Sequence, residues 1–322
     1  MDVYAKQKAA FAARLAEGRA AHAYILEGDD GDETRRFALY MAAALLCTGD
    51  KPPCGRCASC RKALAGGETL HPDIHVFEPE KNAGFSVETV RGIRKSVYLL
   101  PNEGDRKVYI LCGAQKMSRS AQNALLKLFE EPPASASFVI CCDRRDALLP
   151  TVLSRALLIP LGPLDDRTLR AYLADRHRDA PADRLDAAVR FAQGSIGRAA
   201  LFLTPASQEA SRAAADFCAL LFAKGGAFAL AAQALPLSAK RDGFDAFLAF
   251  VELYLLDVLH AHTGGPPPLL LSPSAAEEYR AASTRRGLCG ALDALSESRA
   301  RLASNANGRL TATLLCTRLS AL

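Results

Sequence analysis

The chain has 322 residues, of which 50% are hydrophobic and 23% are charged. A chain of this length suits two or three domains, and its hydrophobic fraction is large enough for a substantial core. It carries 40 basic and 35 acidic residues, which gives a net charge of +5. An excess this small does not by itself indicate nucleic-acid binding, which usually shows a concentrated basic patch.

No segment has the pattern of a secretory signal or of a membrane span. Residues 1–19 carry charges throughout, whereas an export signal needs an uninterrupted apolar stretch. The most apolar candidate, residues 247–259, contains Glu252 and Asp257 and keeps its apolar residues at helical spacing, which predicts a packed amphipathic helix. We therefore expect a cytoplasmic chain with no membrane partner. In such a chain, ten cysteines indicate a metal site and buried free thiols, not disulfides.

The beginning of the chain has the layout of a phosphate-binding loop. We predict a helix over residues 3–16 and a buried strand over residues 22–26. The turn Gly28-Asp-Asp-Gly31-Asp-Glu-Thr34 follows, and an Ala/Leu-rich helix then runs through Leu46. A glycine-containing turn between a strand and a helix N-terminus is where such a loop would lie.

The residues of this turn do not suit a nucleotide. A working loop needs a lysine on the phosphates and a Ser or Thr hydroxyl on magnesium, and no lysine occurs from Gly28 to Cys47. Four carboxylates lie where a triphosphate would bind, those of Asp29, Asp30, Asp32 and Glu33. Each like-charge contact at about 4 Å costs about 1 to 4 kcal/mol. We predict weak or absent nucleotide binding and interpret the turn as an acidic helix start, which the helix dipole favours.

Four cysteines predict a zinc site. Cys47, Cys54, Cys57 and Cys60 are separated by six, two and two residues. Overlapping C-x-x-C units with a further cysteine nearby are typical of tetrahedral zinc, since each short turn directs two thiolates to one ion. Four protein ligands leave no position open for water, so the predicted zinc is structural. Four unrelated buried thiols, or a redox C-x-x-C pair, are the alternatives.

Two histidines lie close enough in sequence to replace one of these cysteines. They are His71 and His75, the first within the triplet His71-Pro72-Asp73. We favour the four cysteines as the ligands.

The segment from Lys107 to Pro160 predicts a strand–helix–strand unit. Short, unbroken apolar runs at residues 108–112 and 138–142 are typical of parallel strands buried on both faces. Between them, one helix face is formed by Ala121, Leu125, Leu128 and Phe129. A unit of this size indicates an α/β sheet.

The second half of the chain has a different composition. A break at residues 161–164 precedes two predicted short helices at residues 165–178 and 182–192, and a third opens at residue 194. From about residue 206 the chain is rich in Ala and Leu and is predicted to be helical, apart from a Pro-rich loop at residues 264–274.

These features together resemble the bacterial clamp-loader subunits of the AAA+ class. The specific matches are the zinc cysteines, the His71-Pro72-Asp73 triplet, KVYIL from Lys107, NALLKLFEEPP, Ser154-Arg155 and the pattern Asn305-Ala-Asn307-Gly-Arg-Leu310. The resemblance implies an α/β AAA+ core with a parallel sheet over residues 1–162 and an inserted zinc module at about residues 47–75. It also implies a small helical lid over residues 163–204 and an all-α collar for oligomerisation over residues 205–322.

The resemblance also implies that the chain does not hydrolyse ATP. In active members, the strand matching KVYIL runs into an Asp-Glu pair that holds magnesium and orients water, and here these positions are Cys112 and Gly113. Ser154 and Arg155 match the Ser-Arg of a family triplet whose arginine reaches the phosphate bound by a neighbouring subunit. Ala156 departs from the cysteine of that triplet. The alternative interpretation of Arg155 is a surface ion pair.

By the same resemblance, we expect a non-hydrolysing subunit of the DNA polymerase III clamp loader that supplies an arginine finger in trans. Its implied partners are the tau/gamma ATPase subunits and the delta subunit, with the sliding clamp and primer–template DNA reached through the complex. Structural zinc is the expected cofactor, and ATP binding is not expected. The alternatives are an active ATPase subunit of the same assembly, or a zinc-dependent nucleic-acid-binding module on a decayed ATPase scaffold.

Overall fold

The computed structural model describes residues 3–28, 31–65, 69–79, 85–266, 268–304 and 306–321. The chain divides into two compact units. Unit 1 consists of Met1–Thr168 with Gly194–Gly197, and unit 2 consists of Leu169–Gln193 with Arg198–Leu322. The division of the second half into a lid and a collar stays a prediction.

Unit 1 is built on a five-stranded parallel sheet, which confirms the predicted α/β class. Its strands are β1 (Ala23–Glu27), β2 (Ile74–Phe77), β3 (Lys107–Leu111), β4 (Ala136–Cys142) and β5 (Leu157–Pro160). Their order across the sheet is β2-β3-β4-β1-β5, with every neighbouring pair parallel. All residues of β3 and β4 are buried, as expected for strands covered on both faces.

Helices flank these strands along the chain. They are α1 (Ala5–Ala16), α2 (Gly31–Leu45), α3 (Ala58–Ala63), α4 (Val87–Ser96), α5 (Arg119–Glu130) and α6 (Pro150–Leu153). The start of α5 is fixed by Ser118, whose hydroxyl accepts a hydrogen bond from the amide of Ala121 at 3.2 Å. The predicted apolar face of α5 is buried in the core of unit 1.

The strand bounds differ slightly from those predicted. Strand β3 begins at Lys107, one residue before the apolar run. The lysine is only 5% exposed, and its ammonium group donates a hydrogen bond to the carbonyl of Ser96 at 3.4 Å. A lysine stem of this kind can lie in a core while its charged end finds an acceptor.

Beyond β5, the described residues form helices and no strand, in agreement with the prediction for the second half. The helices are α7 (Asp166–Arg176), α8 (Ala182–Ala192), α9 (Ile196–Phe202), α10 (Pro205–Phe222), α11 (Ala227–Leu237), α12 (Arg241–Thr263), α13 (Pro273–Ala281), α14 (Arg285–Ala303) and α15 (Gly308–Leu319). Residues from α10, α11, α12, α14 and α15 share one buried hydrophobic cluster. Among the described residues, no helix is both long and apolar enough to span a membrane.

Helix α12 contains a buried carboxylate that organises the Pro-rich loop. Asp257 is 0% exposed, and its two oxygens accept hydrogen bonds from the amides of Leu269, Leu270 and Leu271 at 2.7, 2.7 and 2.9 Å. The sequence indicated only an acidic residue in an amphipathic helix. Three amide donors make this carboxylate part of the core, because an unsatisfied buried charge would be costly.

Replacing Asp257 with alanine is therefore expected to destabilise unit 2 by about 2 to 4 kcal/mol, since several backbone donors lose their acceptor. The effect is measured by chemical denaturation, with unfolding monitored by circular dichroism. The matched control is Asp293→Ala, which removes an exposed carboxylate of α14 and should change stability by less than about 0.5 kcal/mol. Equal effects of the two substitutions would contradict the role assigned to Asp257.

Candidate functional site

A small cavity lies beside the end of β1 and the start of α2. Gly28, Gly31 and Thr34 line it together with residues at the ends of β3 and β4, and its volume is about 120 Å³. A Cβ atom on Gly28 would lie 2.7 Å from Oγ1 of Thr34, so the close packing of this turn requires glycine. The predicted carboxylates Asp29 and Asp30 lie outside the described residues.

The other acidic residues of the turn, Asp32 and Glu33, belong to α2, and Glu33 has a cation nearby. Glu33 is 8% exposed, and its carboxylate lies 3.4 Å from the guanidinium of Arg36. Arg35 forms an ion pair with Glu78 at 3.3 Å. The cationic side chains at this helix start therefore have carboxylate partners in the protein itself.

The residues that follow β3 form the opposite wall of this cavity. Cys112 and Gly113 occupy the positions where the family resemblance places the acidic pair. Gly113 has a φ of 70°, and an added Cβ would lie 3.2 Å from Cγ of Pro79. Cys142 and Asp143, at the end of β4, complete this side of the cavity.

Ser154 and Arg155 follow α6 at the surface of unit 1. The guanidinium of Arg155 forms an ion pair with Glu130 at 3.0 Å and donates hydrogen bonds to the carbonyl of Thr151 at 3.1 Å and to the hydroxyl of Ser154 at 3.4 Å. Its side chain is 35% exposed. Glu130 ends α5 within the FEEPP segment, so two of the segments that carry the family resemblance meet at this ion pair.

The four predicted cysteines converge. The Sγ atoms of Cys47, Cys54, Cys57 and Cys60 all lie within 4.8 Å of one another. Tetrahedral zinc, with Zn–S bonds of about 2.3 Å, places its sulfurs about 3.8 Å apart, so a small contraction would complete a metal site. This chain's thiols therefore fit a soft or borderline metal ion.

Backbone amides point at three of these sulfurs. The amide of Cys54 lies 3.3 Å from Sγ of Cys47, the amide of Cys57 lies 3.3 Å from Sγ of Cys54, and the amide of Cys60 lies 3.4 Å from Sγ of Cys57. Such donors favour thiolates, the form in which cysteine binds metals. Gly55, with a φ of 70°, makes the turn that aligns the first of these loops.

The cysteines of the cluster differ in their proton affinity. Burial acts to raise the pKa of Cys57, but hydrogen bonds from the amides of Cys60 and Thr48 outweigh it and lower that pKa to about 6. Burial raises the pKa of Cys60 to about 12, and its thiol donates a hydrogen bond to the carbonyl of Ala43 at 3.7 Å. A metal that binds here must therefore displace the proton of Cys60.

Neither candidate histidine belongs to this cluster. Nδ1 of His71 accepts a hydrogen bond from the amide of Asp73 at 3.1 Å, and the ring of His75 stacks on Tyr109 with centroids 5.1 Å apart. Burial lowers the pKa of both histidines. Within the part of the chain that the structure describes, the metal-compatible cluster consists of the four cysteines.

Asp73 has a structural function that its sequence context did not reveal. It is 0% exposed and accepts hydrogen bonds from the amides of Asn102, Glu103 and Gly104 at 2.6, 2.8 and 3.0 Å, and from the side-chain amide of Asn102 at 3.0 Å. Burial acts to raise its pKa, but these donors outweigh burial and lower the pKa to about 2. Asp73 thus joins β2 to the turn before β3.

In unit 2, a cleft of about 760 Å³ includes Arg198. Arg299 lies in the same cleft, paired with Asp245 at 3.1 Å and with Glu252 at 2.9 Å. The cleft therefore carries charges of both signs.

Comparison with known proteins agrees with this arrangement. The family model described as DNA polymerase III, delta subunit, matches residues 4–165, about half of the chain. DNA polymerase III subunit delta' of Bacillus subtilis is 26% identical over 301 residues, which cover 91% of this chain and 89% of that protein. The Escherichia coli subunit delta' is 30% identical over 251 residues, covering 77% and 72% of the two chains. The subunit delta' of Pseudomonas aeruginosa is 33% identical over 197 residues, covering 60% and 59%.

The structure shows a parallel α/β unit, a cluster of four cysteines and a helical second half, and the match to the Bacillus subtilis protein extends over 91% of the chain. The match to the family model covers all five strands, the four cysteines and Arg155. The chain belongs to the delta-prime family of DNA polymerase III clamp-loader subunits.

Proposed function

We propose that the chain is a non-hydrolysing AAA+ subunit of the clamp loader and that it supplies Arg155 to the nucleotide site of a neighbouring subunit. The observation that carries the proposal is the contrast between two places in unit 1. The turn at Gly28 lacks a lysine and adjoins a cavity of about 120 Å³, whereas pockets for drug-sized ligands typically measure about 300 to 1,000 Å³. Arg155, by contrast, is kept at the surface, partly exposed.

The environment of Arg155 suits a group that exchanges partners. Its ion pair with Glu130 joins side chains that are 35% and 50% exposed, and surface pairs of this kind contribute about 0 to 1 kcal/mol. An arriving phosphate would offer a bidentate, doubly charged partner, which is a stronger one for a guanidinium. The contacts to Thr151 and Ser154 hold the rest of the side chain near the end of α6.

The proposed partners follow from the family assignment. Tau/gamma ATPase subunits and the delta subunit would flank the chain, and helices of the second half would serve as the collar that holds them together. The sliding clamp and primer–template DNA would be reached through the complex. Asn307, in the C-terminal pattern shared with the family, caps α15 by accepting the amide of Leu310 at 3.1 Å, while Asn305 lies outside the described residues.

The alternative of a zinc-dependent nucleic-acid-binding module has less support. The basic residues beside the cysteines include Lys62, whose ammonium lies 2.6 Å from the carboxylate of Glu103. That lysine therefore already has a carboxylate partner within unit 1. Steeply salt-dependent DNA binding by the chain alone would favour the alternative.

Two measurements test the proposed function. Isothermal titration of the chain with MgATP is expected to show no saturable binding in the micromolar range, because the sequence of the loop has four carboxylates and no lysine. In a reconstituted clamp loader, DNA- and clamp-stimulated ATP turnover is expected to fall when this chain is omitted. ATP hydrolysis by the chain alone would contradict the proposal and favour an active ATPase subunit.

We propose that the cysteine cluster holds a structural zinc ion. The support is the spacing of the four cysteines, the convergence of their sulfurs within 4.8 Å and the amides directed at them. Four sulfur ligands complete the coordination of zinc, so the ion would fix the loop before α3 and provide no chemistry.

The purified chain is expected to hold one zinc ion, and Cys57→Ser is expected to lose most of it because three thiolates bind the ion less tightly than four. Elemental mass spectrometry after dialysis against a mild chelator measures the content. Cys289→Ser is the matched control, since Cys289 is exposed and lies outside the cluster. Full zinc content in Cys57→Ser would exclude Cys57 as a ligand.

A further inference from the structure

Two cysteines outside the metal cluster face each other across neighbouring strands. Leu111, the last residue of β3, is paired with Ile140 of β4; Cys112 follows directly after β3, and Cys141 is the next residue of β4, so the same register places these two cysteines opposite each other. Directly opposed residues of parallel neighbours have Cα atoms about 4.8 Å apart. This spacing lies within the range of about 4.4 to 6.8 Å that a disulfide requires.

The two side chains lie on the same face of the sheet. Leu111, Ile140 and Cys142 all belong to one hydrophobic cluster. Side chains alternate along a strand, so Cys141 points to the opposite face from Ile140 and Cys142, and its thiol contacts that of Cys112. Both line the cavity of about 120 Å³ beside Gly28 and Thr34, and Cys112 is only partly buried.

The two thiols also differ in acidity. A hydrogen bond from Cys141 is the main cause that lowers the pKa of Cys112, and it outweighs burial and the charge of Glu78, which act to raise that pKa. The same hydrogen bond and complete burial raise the pKa of Cys141 well above its ordinary value. Cys112 is thus the better nucleophile, because the thiolate is the reactive form of cysteine.

We propose that Cys112 and Cys141 form a modification site that low-molecular-weight disulfides of the glutathione class oxidise to an internal disulfide. The Cys112 thiolate attacks one sulfur of the small disulfide, and the departing thiolate takes up a proton. Cys141 then loses its proton to solvent, and its thiolate attacks the Cys112 sulfur of the mixed disulfide and releases the second small thiol. Two protein thiols are oxidised, and one small disulfide is reduced to two thiols.

The two thiols need neither a bound nucleotide nor Arg155 in order to react. A disulfide here would have a local consequence, because it would link the end of β3 to the end of β4 near Gly28.

Cys218 and Cys316 are also buried, and burial raises the pKa of Cys316 to about 11. Neither would react as Cys112 does.

To test the proposal, the zinc-loaded full chain is incubated with oxidised glutathione and the reaction is quenched with acid. Free thiols are then alkylated, and the chain is digested with trypsin. The expected product joins the peptide of residues 108–116 to that of residues 128–144. It should form in the unmodified chain and in Cys142→Ser, with a yield at least about tenfold lower in Cys112→Ser and Cys141→Ser. In Cys141→Ser, a stable glutathione mixed disulfide should remain on Cys112.

A second measurement needs no substitution. One equivalent of phenylarsine oxide, which bridges two neighbouring thiols, is added to the folded chain and is expected to protect both Cys112 and Cys141 from alkylation when the chain is then denatured. A cross-link that persists in Cys141→Ser would place the bond on Cys142 and overturn the assignment. Absence of both the cross-link and the arsenical protection in the unmodified chain would overturn the site itself.

Discussion

Replacing Arg155 with alanine is expected to slow ATP turnover at the neighbouring site of a reconstituted clamp loader by about a thousandfold, since that is the typical contribution of an arginine finger. The reason is electrostatic: the substitution removes a guanidinium aimed at charge developing on the phosphate. The fall should appear in single-turnover hydrolysis, measured with clamp and primed DNA present. Arg155→Lys should restore only part of the rate, because an ammonium lacks the planar fork.

A purely structural role for Arg155 predicts a different result. Loss of the exposed ion pair with Glu130 would reduce stability by at most about 1 kcal/mol and leave turnover unchanged. Glu130→Gln separates the two explanations, because it removes the ion pair and keeps the guanidinium. Assembly of each variant is followed by sedimentation velocity, and Arg144→Ala, which alters another exposed arginine of unit 1, is the matched control. Normal turnover with Arg155→Ala would reduce the subunit to a scaffold.

Replacing Asp73 with alanine is expected to destabilise unit 1 by about 3 to 5 kcal/mol. Four donated hydrogen bonds would be lost, and each buried donor left without an acceptor costs about 1 to 3 kcal/mol, with partial relief from water. Urea denaturation of the purified chain measures the change. Asp105→Ala is the control, since that carboxylate is 84% exposed and its loss should cost less than about 0.5 kcal/mol.

The Asp73 effect should depend on pH with a defined sign. The pKa of Asp73 is lowered to about 2 from 3.8, so its stabilisation is present in full above about pH 4 and is lost as the pH falls through about 2. The difference in unfolding free energy between the unmodified chain and Asp73→Ala should therefore shrink from pH 5 to pH 2. A difference that stays constant over this range would show that the charge of Asp73 is unimportant.

Local sequence patterns were sufficient for most elements of the fold. The unbroken apolar runs predicted β3 and β4 to within two residues, and the helical spacing of apolar residues predicted the buried face of α5. These predictions succeed because the period of the pattern follows directly from backbone geometry. The cluster of four cysteines could also be predicted from the sequence, since short C-x-x-C turns bring ligands together within a few residues of chain.

The sequence alone determined the α/β fold class of the first unit and the candidate metal ligands. It also showed that the loop after Gly28 has no lysine. Tertiary structure alone decided which distant groups meet. It placed Asp73 beside amides 29 to 31 residues away, Arg155 beside Glu130 and Cys112 opposite Cys141. The physical reason is that such contacts depend on strand order and register, here β2-β3-β4-β1-β5. These are set by the packing of the whole unit, and no local period records them.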